Sequence, residues 1–396
     1  MQYTWDTIAP ALGAVVVFRR LVQQAPLQAL RAFLLCDADA AQLAQRYGAF
    51  VSALIAYDFS LSAFLQTALA EDENEYVIAC AGSAEPSPRL RQCAVAELTL
   101  LSELTQLDAN ALRERICFDG YLPEFENTPV DLLSFYEKRL ADVKRVGYGV
   151  FAWHTMFRME NGEITPVSNA DRIEISDLTG YEQQRQLVIE NSKALLAGKP
   201  AANVLLSGSA GTGKSSTVKA VVNLLAPEGL RLIELRKEQI LLLPALMAKL
   251  KSNPLKFVIF IDDLSFSDRS DAFSTLKAIL EGSTAARGDN VAIYATSNRR
   301  HLVRENFAER SGDDVHREDT MQELLSLSDR FGLVVRFYRP DKALFLRIVR
   351  ALAEEKGVAL AGEVLDARAE AYALRRGGRS PRIAAQFTDS LIAGEE

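Results

Sequence analysis

The sequence predicts an α/β core on a parallel sheet of five strands, with a mostly helical domain before it and a helical segment after it. Three observations carry this expectation. In residues 1–117 apolar residues recur at three- and four-residue spacing, as in Leu54, Tyr57, Leu61, Phe64, Leu65 and Leu69 or Val95, Leu98, Leu101 and Leu104, which is a helical period. From Thr179 onward, short apolar runs alternate with helical patterns, an order that places helices on a parallel sheet. A glycine-rich stretch, Gly208 to Ser215, falls where one such run passes into a helix.

Composition sets the bounds. At about 150 residues per domain, 396 residues imply two or three domains. Hydrophobic residues at 48% and charged residues at 24% describe an ordinary folded chain without a long disordered tail. With 45 Lys and Arg against 52 Asp and Glu, the net charge of −7 repels polyanions, so any nucleic-acid contact would need a local basic patch. Cys36, Cys80, Cys93 and Cys117 show no zinc-ligand spacing and are expected to be reduced core thiols. The apolar stretch Leu12 to Phe18 follows Asp6 and precedes Arg19-Arg20, the reverse of a secretory signal. No run approaches the roughly 20 residues that span a bilayer, so the expectation is a cytoplasmic protein with no membrane partner.

Taken in order, the helical pattern breaks at Gly82 to Pro88 and at Asp108, an N-cap for a short helix reaching Ile116. Asp119 to Pro129, with two prolines, reads as a linker, and Val130 to Lys144 restores the helical pattern. Around the turn pair Asn161-Gly162, Val150 to Met159 and a second short run predict a hairpin joining two domains, with Phe151, Trp153 and Phe157 on one face. Strands are expected at Asn203–Leu206, Leu230–Leu235, Phe257–Ile261, Val291–Ala295 and Leu333–Phe337. Helices are expected at Lys214–Ala226, Lys237–Lys251, Asp271–Leu280 and Thr320–Leu327, and from Pro340 to the end. The expected divisions are a helical domain 1–145, a hairpin 146–176, an α/β core 177–338 and a helical segment 339–396.

The chemistry concentrates in the core. Gly208-Ser209-Ala210-Gly211-Thr212-Gly213-Lys214-Ser215, followed by Ser216, matches the phosphate-binding loop in its strand-to-helix setting. Its glycines let backbone N–H groups turn toward phosphates, Lys214 reaches the β- and γ-phosphates, and the Ser215 hydroxyl holds Mg²⁺. The continuous apolar run Phe257 to Ile261 reads as a strand buried on both faces that delivers Asp262 and Asp263 to its end. Asp262 is placed to hold the metal and Asp263 to polarise the attacking water.

Residues from about 177 to 392 resemble the AAA+ ATPase superfamily. Within it they are most similar to a bacterial family of predicted ATPases catalogued as a domain of unknown function. The runs carrying the resemblance are Gly180-Tyr181-Glu182, Asp262-Asp263-Leu264-Ser265-Phe266, Ala295-Thr296-Ser297-Asn298-Arg299-Arg300-His301-Leu302 and Ser326-Leu327-Ser328-Asp329-Arg330-Phe331-Gly332-Leu333. Branch-migration helicase cores share a similar Asp-Arg-Phe-Gly run and a similar Ser380-Pro381-Arg382-Ile383-Ala384 run. The resemblance implies a P-loop NTPase core with a C-terminal helical lid, and ATP and Mg²⁺ as ligands. It implies sensor 1 at Asn298, an arginine finger at Arg330 acting on a neighbouring subunit, and sensor 2 at Arg382, with Arg379 competing for that role. The plainer readings are a satisfied buried amide at Asn298, an ion pair of Arg330 with Asp329 or a nearby acid, and a solvated surface position at Arg382. One departure is Asp263, where most AAA+ enzymes carry Glu, and a shorter carboxylate is expected to slow hydrolysis.

The leading expectation is an oligomeric ATP-hydrolysing enzyme that remodels a macromolecular target. A nucleotide-gated switch with little turnover and a loader of nucleic-acid complexes are the alternatives. The basic loop through Arg299, Arg300, His301, Arg304, Arg310 and Arg317 is interrupted by acids, and no winged DNA-binding domain follows the lid within the chain. Both tip the expected target toward protein. Tyr181 to Arg185 fits a segment that contacts adenine in related proteins, or the plain start of a helix.

Overall fold

Short polar side chains decide where the helices of the first unit begin. The computed structural model describes residues 5–82, 85–264, 271–281, 288–298 and 329–394, and the chain divides into two units, 1–153 and 154–396. Ser265, Phe266, the basic loop from Arg299 to Arg317 with His316, the helix expected at Thr320–Leu327, and Ser328 lie outside the described residues. The first unit holds α1 (Trp5–Gly13), α2 (Arg19–Val22), α3 (Ala25–Leu34), α4 (Ala40–Ala53), α5 (Leu61–Glu71), α6 (Glu75–Ala81), α7 (Pro88–Leu104), α8 (Ala109–Glu114), α9 (Leu132–Ala141) and α10 (Val143–Val146). Asp39, Ser60, Asn74, Ser87, Asp108 and Asp131 each accept a hydrogen bond from a first-turn N–H that would otherwise lack a partner. The apolar period from Leu54 to Leu69 is not one helix: Asp58 and Phe59 turn left-handed, with φ of 52° and 58°, and Ser60 restarts the chain as α5.

Phe18, Phe33, Tyr47, Phe50, Phe64 and Leu101 are fully enclosed in this unit's core. Glu97 of α7, only 8% exposed, accepts hydrogen bonds of 2.8 to 3.2 Å from the N–H groups of Val16, Val17 and Phe18, pinning the α1–α2 turn to α7. The four cysteines are free thiols, but none is in the core: Cys36 and Cys80 are half-buried, and Cys93 and Cys117 are exposed.

The second unit is built on β1 (Met156–Glu160), β2 (Glu163–Pro166), β3 (Val204–Gly208), β4 (Leu230–Glu234), β5 (Lys256–Ile261), β6 (Val291–Ser297) and β7 (Leu333–Phe337). These alternate with α11 (Glu182–Leu196), α12 (Lys214–Leu225), α13 (Leu243–Leu250) and α14 (Asp271–Leu280). Lys237–Leu242 is a 3₁₀ turn, so the helix expected from Lys237 starts only at Leu243. The sheet order is β2-β1-β4-β5-β6-β3-β7. The five expected strands form its contiguous parallel part, but the sheet has seven strands, not five.

The extra pair is the hairpin expected to be a linker. Asn161 and Gly162 take φ of 50° and 84°, the handedness a two-residue hairpin turn needs, and β1 and β2 pair antiparallel. Strand β1 then runs parallel to β4, from Met156 opposite Leu232 to Arg158 opposite Glu234. This pairing satisfies the backbone groups that a five-stranded sheet would leave open along β4. After β7, α15 (Lys342–Glu355), α16 (Gly362–Arg375) and α17 (Pro381–Ala393) enclose a core of Phe345, Ile348, Val349, Ala369, Tyr372 and Phe387. Among the described residues no helix is long and apolar enough to cross a membrane.

Candidate nucleotide site

The sheet order puts β3 between β6 and β7, so the loop leaving β3 is flanked by the ends of both. Gly208 pairs with Phe337 of β7 and takes φ of 140°; a Cβ there would stand 1.9 Å from the Phe337 carbonyl oxygen. Only glycine permits that approach, and the Ser209 N–H donates to the same carbonyl at 3.2 Å. Gly211 and Gly213 take φ of 75° and 86°, turning the loop into α12, whose N-terminus carries partial positive charge. The Thr212 hydroxyl donates to the Ser209 carbonyl at 2.9 Å, while Ala210 stands exposed at the loop's tip. The Arg382 N–H of α17 donates to the Gly211 carbonyl at 3.1 Å, so the C-terminal helices touch the loop directly.

Lys214, 5% exposed, donates to the carbonyls of Gly208 at 3.1 Å and Ser209 at 2.8 Å and to Asn298 Oδ1 at 2.9 Å. Burial pulls its ammonium below the usual lysine range, opposed by the charges of Asp262 and Asp263. A phosphate would complete the environment of such a buried, charged donor.

The acids follow from register. Strands β5 and β6 pair up to Ile261 opposite Ala295, which brings the next residues, Asp262 and Thr296, side by side. The Thr296 hydroxyl donates to Asp262 Oδ1 at 2.5 Å and accepts from the Asp263 N–H at 2.9 Å. Ser215 Oγ donates to the same Asp262 oxygen at 2.7 Å, and Asn298 Nδ2 donates to Asp263 Oδ1 at 2.7 Å. Asp263 has a left-handed backbone, φ 51°, which Asp tolerates better than longer residues because its short polar side chain bonds locally. The adjacent hydroxyl and carboxylate of Ser215 and Asp262 are hard oxygen donors of the type Mg²⁺ takes from proteins, one or two at a time.

These groups line a cleft of about 530 Å³, together with Gly211, Ser216, Pro381 and Arg382. The cleft is also lined by Leu178, Tyr181, Phe337, Ile348 and Leu352, along with the polar Asp177, Thr179 and Arg185. Tyr181, φ 59°, donates its hydroxyl to the Tyr338 carbonyl at 2.6 Å and packs its ring 5.3 Å from that of Phe337; burial pushes its pKa up to about 12. Arg185 donates to the Gly180 carbonyl, and burial lowers its pKa.

Two expected residues stand elsewhere. Arg330 is not among the cleft-lining residues; its Nε and Nη2 both approach Glu281 Oε1 at 2.5 Å, so an acid beside it is Glu281. Arg379 is clamped by Glu370 through bonds of 2.8 and 2.6 Å and lines a separate hollow with Arg339, which leaves Arg382 as the arginine of that pair in the cleft. Sequence reasoning gave no role to Thr296, although a hydroxyl two residues before Asn298 on the strand beside the acids was a usable signal. Ile348 and Leu352 were visible only as parts of a helical period.

A glycine-rich loop leaving a central parallel strand, acids at the end of β5 with β6 between, and a helical segment touching the loop make up a phosphate-binding-loop architecture on a parallel sheet. The chain belongs to the family described as protein of unknown function DUF815, whose profile matches residues 148–395. None of the curated proteins matches it. Among solved structures it is similar to the RuvB Holliday junction branch migration motor of Thermotoga maritima, at 17% identity and a TM-score of 0.39 over 56% of this chain and 66% of that one. A point mutant of the same motor gives 16% identity and a TM-score of 0.39 over 57% and 67%. The match thus spans about two thirds of the motor's length.

Proposed function

We propose that this protein is a Mg²⁺-dependent ATPase that works as a homo-oligomer and couples its nucleotide cycle to remodelling of a macromolecular target, protein rather than nucleic acid. The observation that carries the reading is the continuous set of contacts from Lys214 through Asn298 to Asp263, and from Ser215 to Asp262, in a cleft that Leu178, Tyr181, Phe337, Ile348 and Leu352 also line. In this reading ATP lies between the α/β core and the helices α15–α17. The turned amides of Gly211 to Ser216 and the Lys214 ammonium hold its phosphates. Ser215 and Asp262 would hold Mg²⁺, which would supply charge neutralisation at the phosphates. Asp263 accepts a proton from the attacking water, with Asn298 fixing the carboxylate that receives it. Arg382 reports the γ-phosphate to α17, and Arg330 completes the site of a neighbouring subunit. The first unit chooses the target.

A second reading, a nucleotide-gated switch with little turnover, is favoured by Asp263, whose carboxylate is one methylene shorter than that of Glu and already bonded to Asn298. Steady-state ATP hydrolysis per subunit, measured across a wide range of protein concentration with Lys214→Ala as the blank, separates the two. Specific activity that climbs with concentration and vanishes in the variant supports an assembled ATPase. Tight ATP binding with turnover at the level of the blank at every concentration supports the switch.

A further inference from the structure

We infer that Thr296 is a positioning residue that sets both acids of the site at once, and that its hydroxyl, not its bulk, does so. The inference rests on the Mg²⁺-ATP reading above. Thr296 is 2% exposed and is the last residue but one of a strand that is buried along its whole length, so its side chain is an anchor with little freedom. A hydroxyl has one proton to give and lone pairs to receive, and here both are used. The hydroxyl donates to Asp262 Oδ1 at 2.5 Å, which fixes the carboxylate assigned to the metal. A lone pair receives the Asp263 N–H at 2.9 Å, which holds that residue in its left-handed turn and so sets where the second carboxylate points. The Leu264 N–H closes the turn on the Thr296 carbonyl at 2.7 Å. Asp262 and Asp263 are both exposed, so without this anchor their placement would rest on the Ser215 hydroxyl, the Asn298 amide and the Asp263 N–H to Asp262 contact, none of which joins either acid to the buried strand β6 below Asn298.

Partners one step removed from a metal ligand typically account for about 10- to 100-fold in metal affinity or activity. The test compares Thr296→Val, which keeps the shape and removes the hydroxyl, with Thr296→Ser, which keeps the hydroxyl and removes the methyl. Each full-length variant is titrated with a fluorescent ATP analogue in EDTA and then with MgCl₂, and turnover is followed against MgCl₂. The expected result is unchanged analogue affinity in EDTA for both. The Mg²⁺ concentration at half effect should rise about 10- to 100-fold in Thr296→Val and stay within about threefold of wild type in Thr296→Ser. A valine variant that matches wild type in Mg²⁺ dependence overturns the inference. So does a serine variant as impaired as the valine one, since packing rather than the hydroxyl would then matter. Should the valine variant fail to fold, Thr296→Ala against Thr296→Ser carries the same comparison. If wild type binds the analogue but shows no turnover, the ATPase reading fails while the Mg²⁺ dependence of binding still decides the role of Thr296.

Discussion

Alanine at Gly208, Gly211 and Gly213 forms a series in which one cost is shared and another is graded. All three positions have positive φ, at 140°, 75° and 86°, so each alanine strains the backbone by roughly 1–2 kcal/mol. At Gly213 the new Cβ meets nothing within 4 Å, and the backbone cost is the whole effect. At Gly211 it lies 3.0 Å from Arg382 Cβ, so α17 must give by a few tenths of an ångström, bringing the loss to roughly 2–4 kcal/mol. At Gly208 it lies 1.9 Å from a backbone oxygen, against 3.4 Å for ordinary contact, and β3 and β7 must part by about 1.5 Å. That breaks the Ser209 to Phe337 bond and its neighbours in the ladder, for a loss above about 4 kcal/mol. Thermal unfolding without nucleotide, followed by circular dichroism, reads the series at roughly 2–4 °C per kcal/mol. Tryptophan fluorescence does not serve, because Trp5 and Trp153 both belong to the first unit. Equal shifts at all three positions, or a loss at Gly213 as large as at Gly208, would refute the reasoning.

Tryptophan fluorescence does serve for the first unit. Glu97→Gln replaces a carboxyl group that accepts through both oxygens from the Val16, Val17 and Phe18 amides with an amide that accepts through one oxygen only. The expected loss in urea unfolding is about 2–3 kcal/mol, and a midpoint unchanged from wild type would show that the α1–α2 turn is held by packing alone. Asp72, 5% exposed, has its pKa raised by burial, partly offset by the hydrogen bond from Asn74 and the charge of Arg20. A raised folded pKa means that stability is full below the unfolded value and is lost as pH rises through the folded one. Asp72→Asn should therefore melt higher than wild type at pH 7, with the gap closing toward pH 3; a variant less stable than wild type at pH 7 contradicts this sign.

The parts of the site that share a local pattern were readable from residue order. The phosphate-binding loop needs its glycines in sequence, and the Phe257 to Ile261 run needs only burial on both faces to announce a strand ending in Asp262-Asp263. The parts decided through space were not. Nothing in residues 156–166 says that their hairpin will pair with a strand about seventy residues later, because any exposed edge offers the same amides and carbonyls. Arg330 meets Glu281, and Thr296 meets Asp262, through the folding of separate segments, and no period or spacing records such a meeting. The left-handed pairs Asp58-Phe59 and Gly180-Tyr181 were hidden for another reason: Phe and Tyr rarely adopt that backbone, and tertiary contacts impose it.

The pairing of β1 with β4 also governs where the chain can be cut. A fragment begun after Pro166, at the apparent start of the nucleotide-binding half, would lose two strands and bare β4 along its length. Leu230, Leu232 and Ile233 would then flank a row of unanswered backbone donors and acceptors, a template on which another chain can add as the next strand. Insoluble material from such a fragment would reflect the missing hairpin rather than any weakness of the nucleotide site, and a fragment begun ahead of His154 would keep the sheet closed on that side.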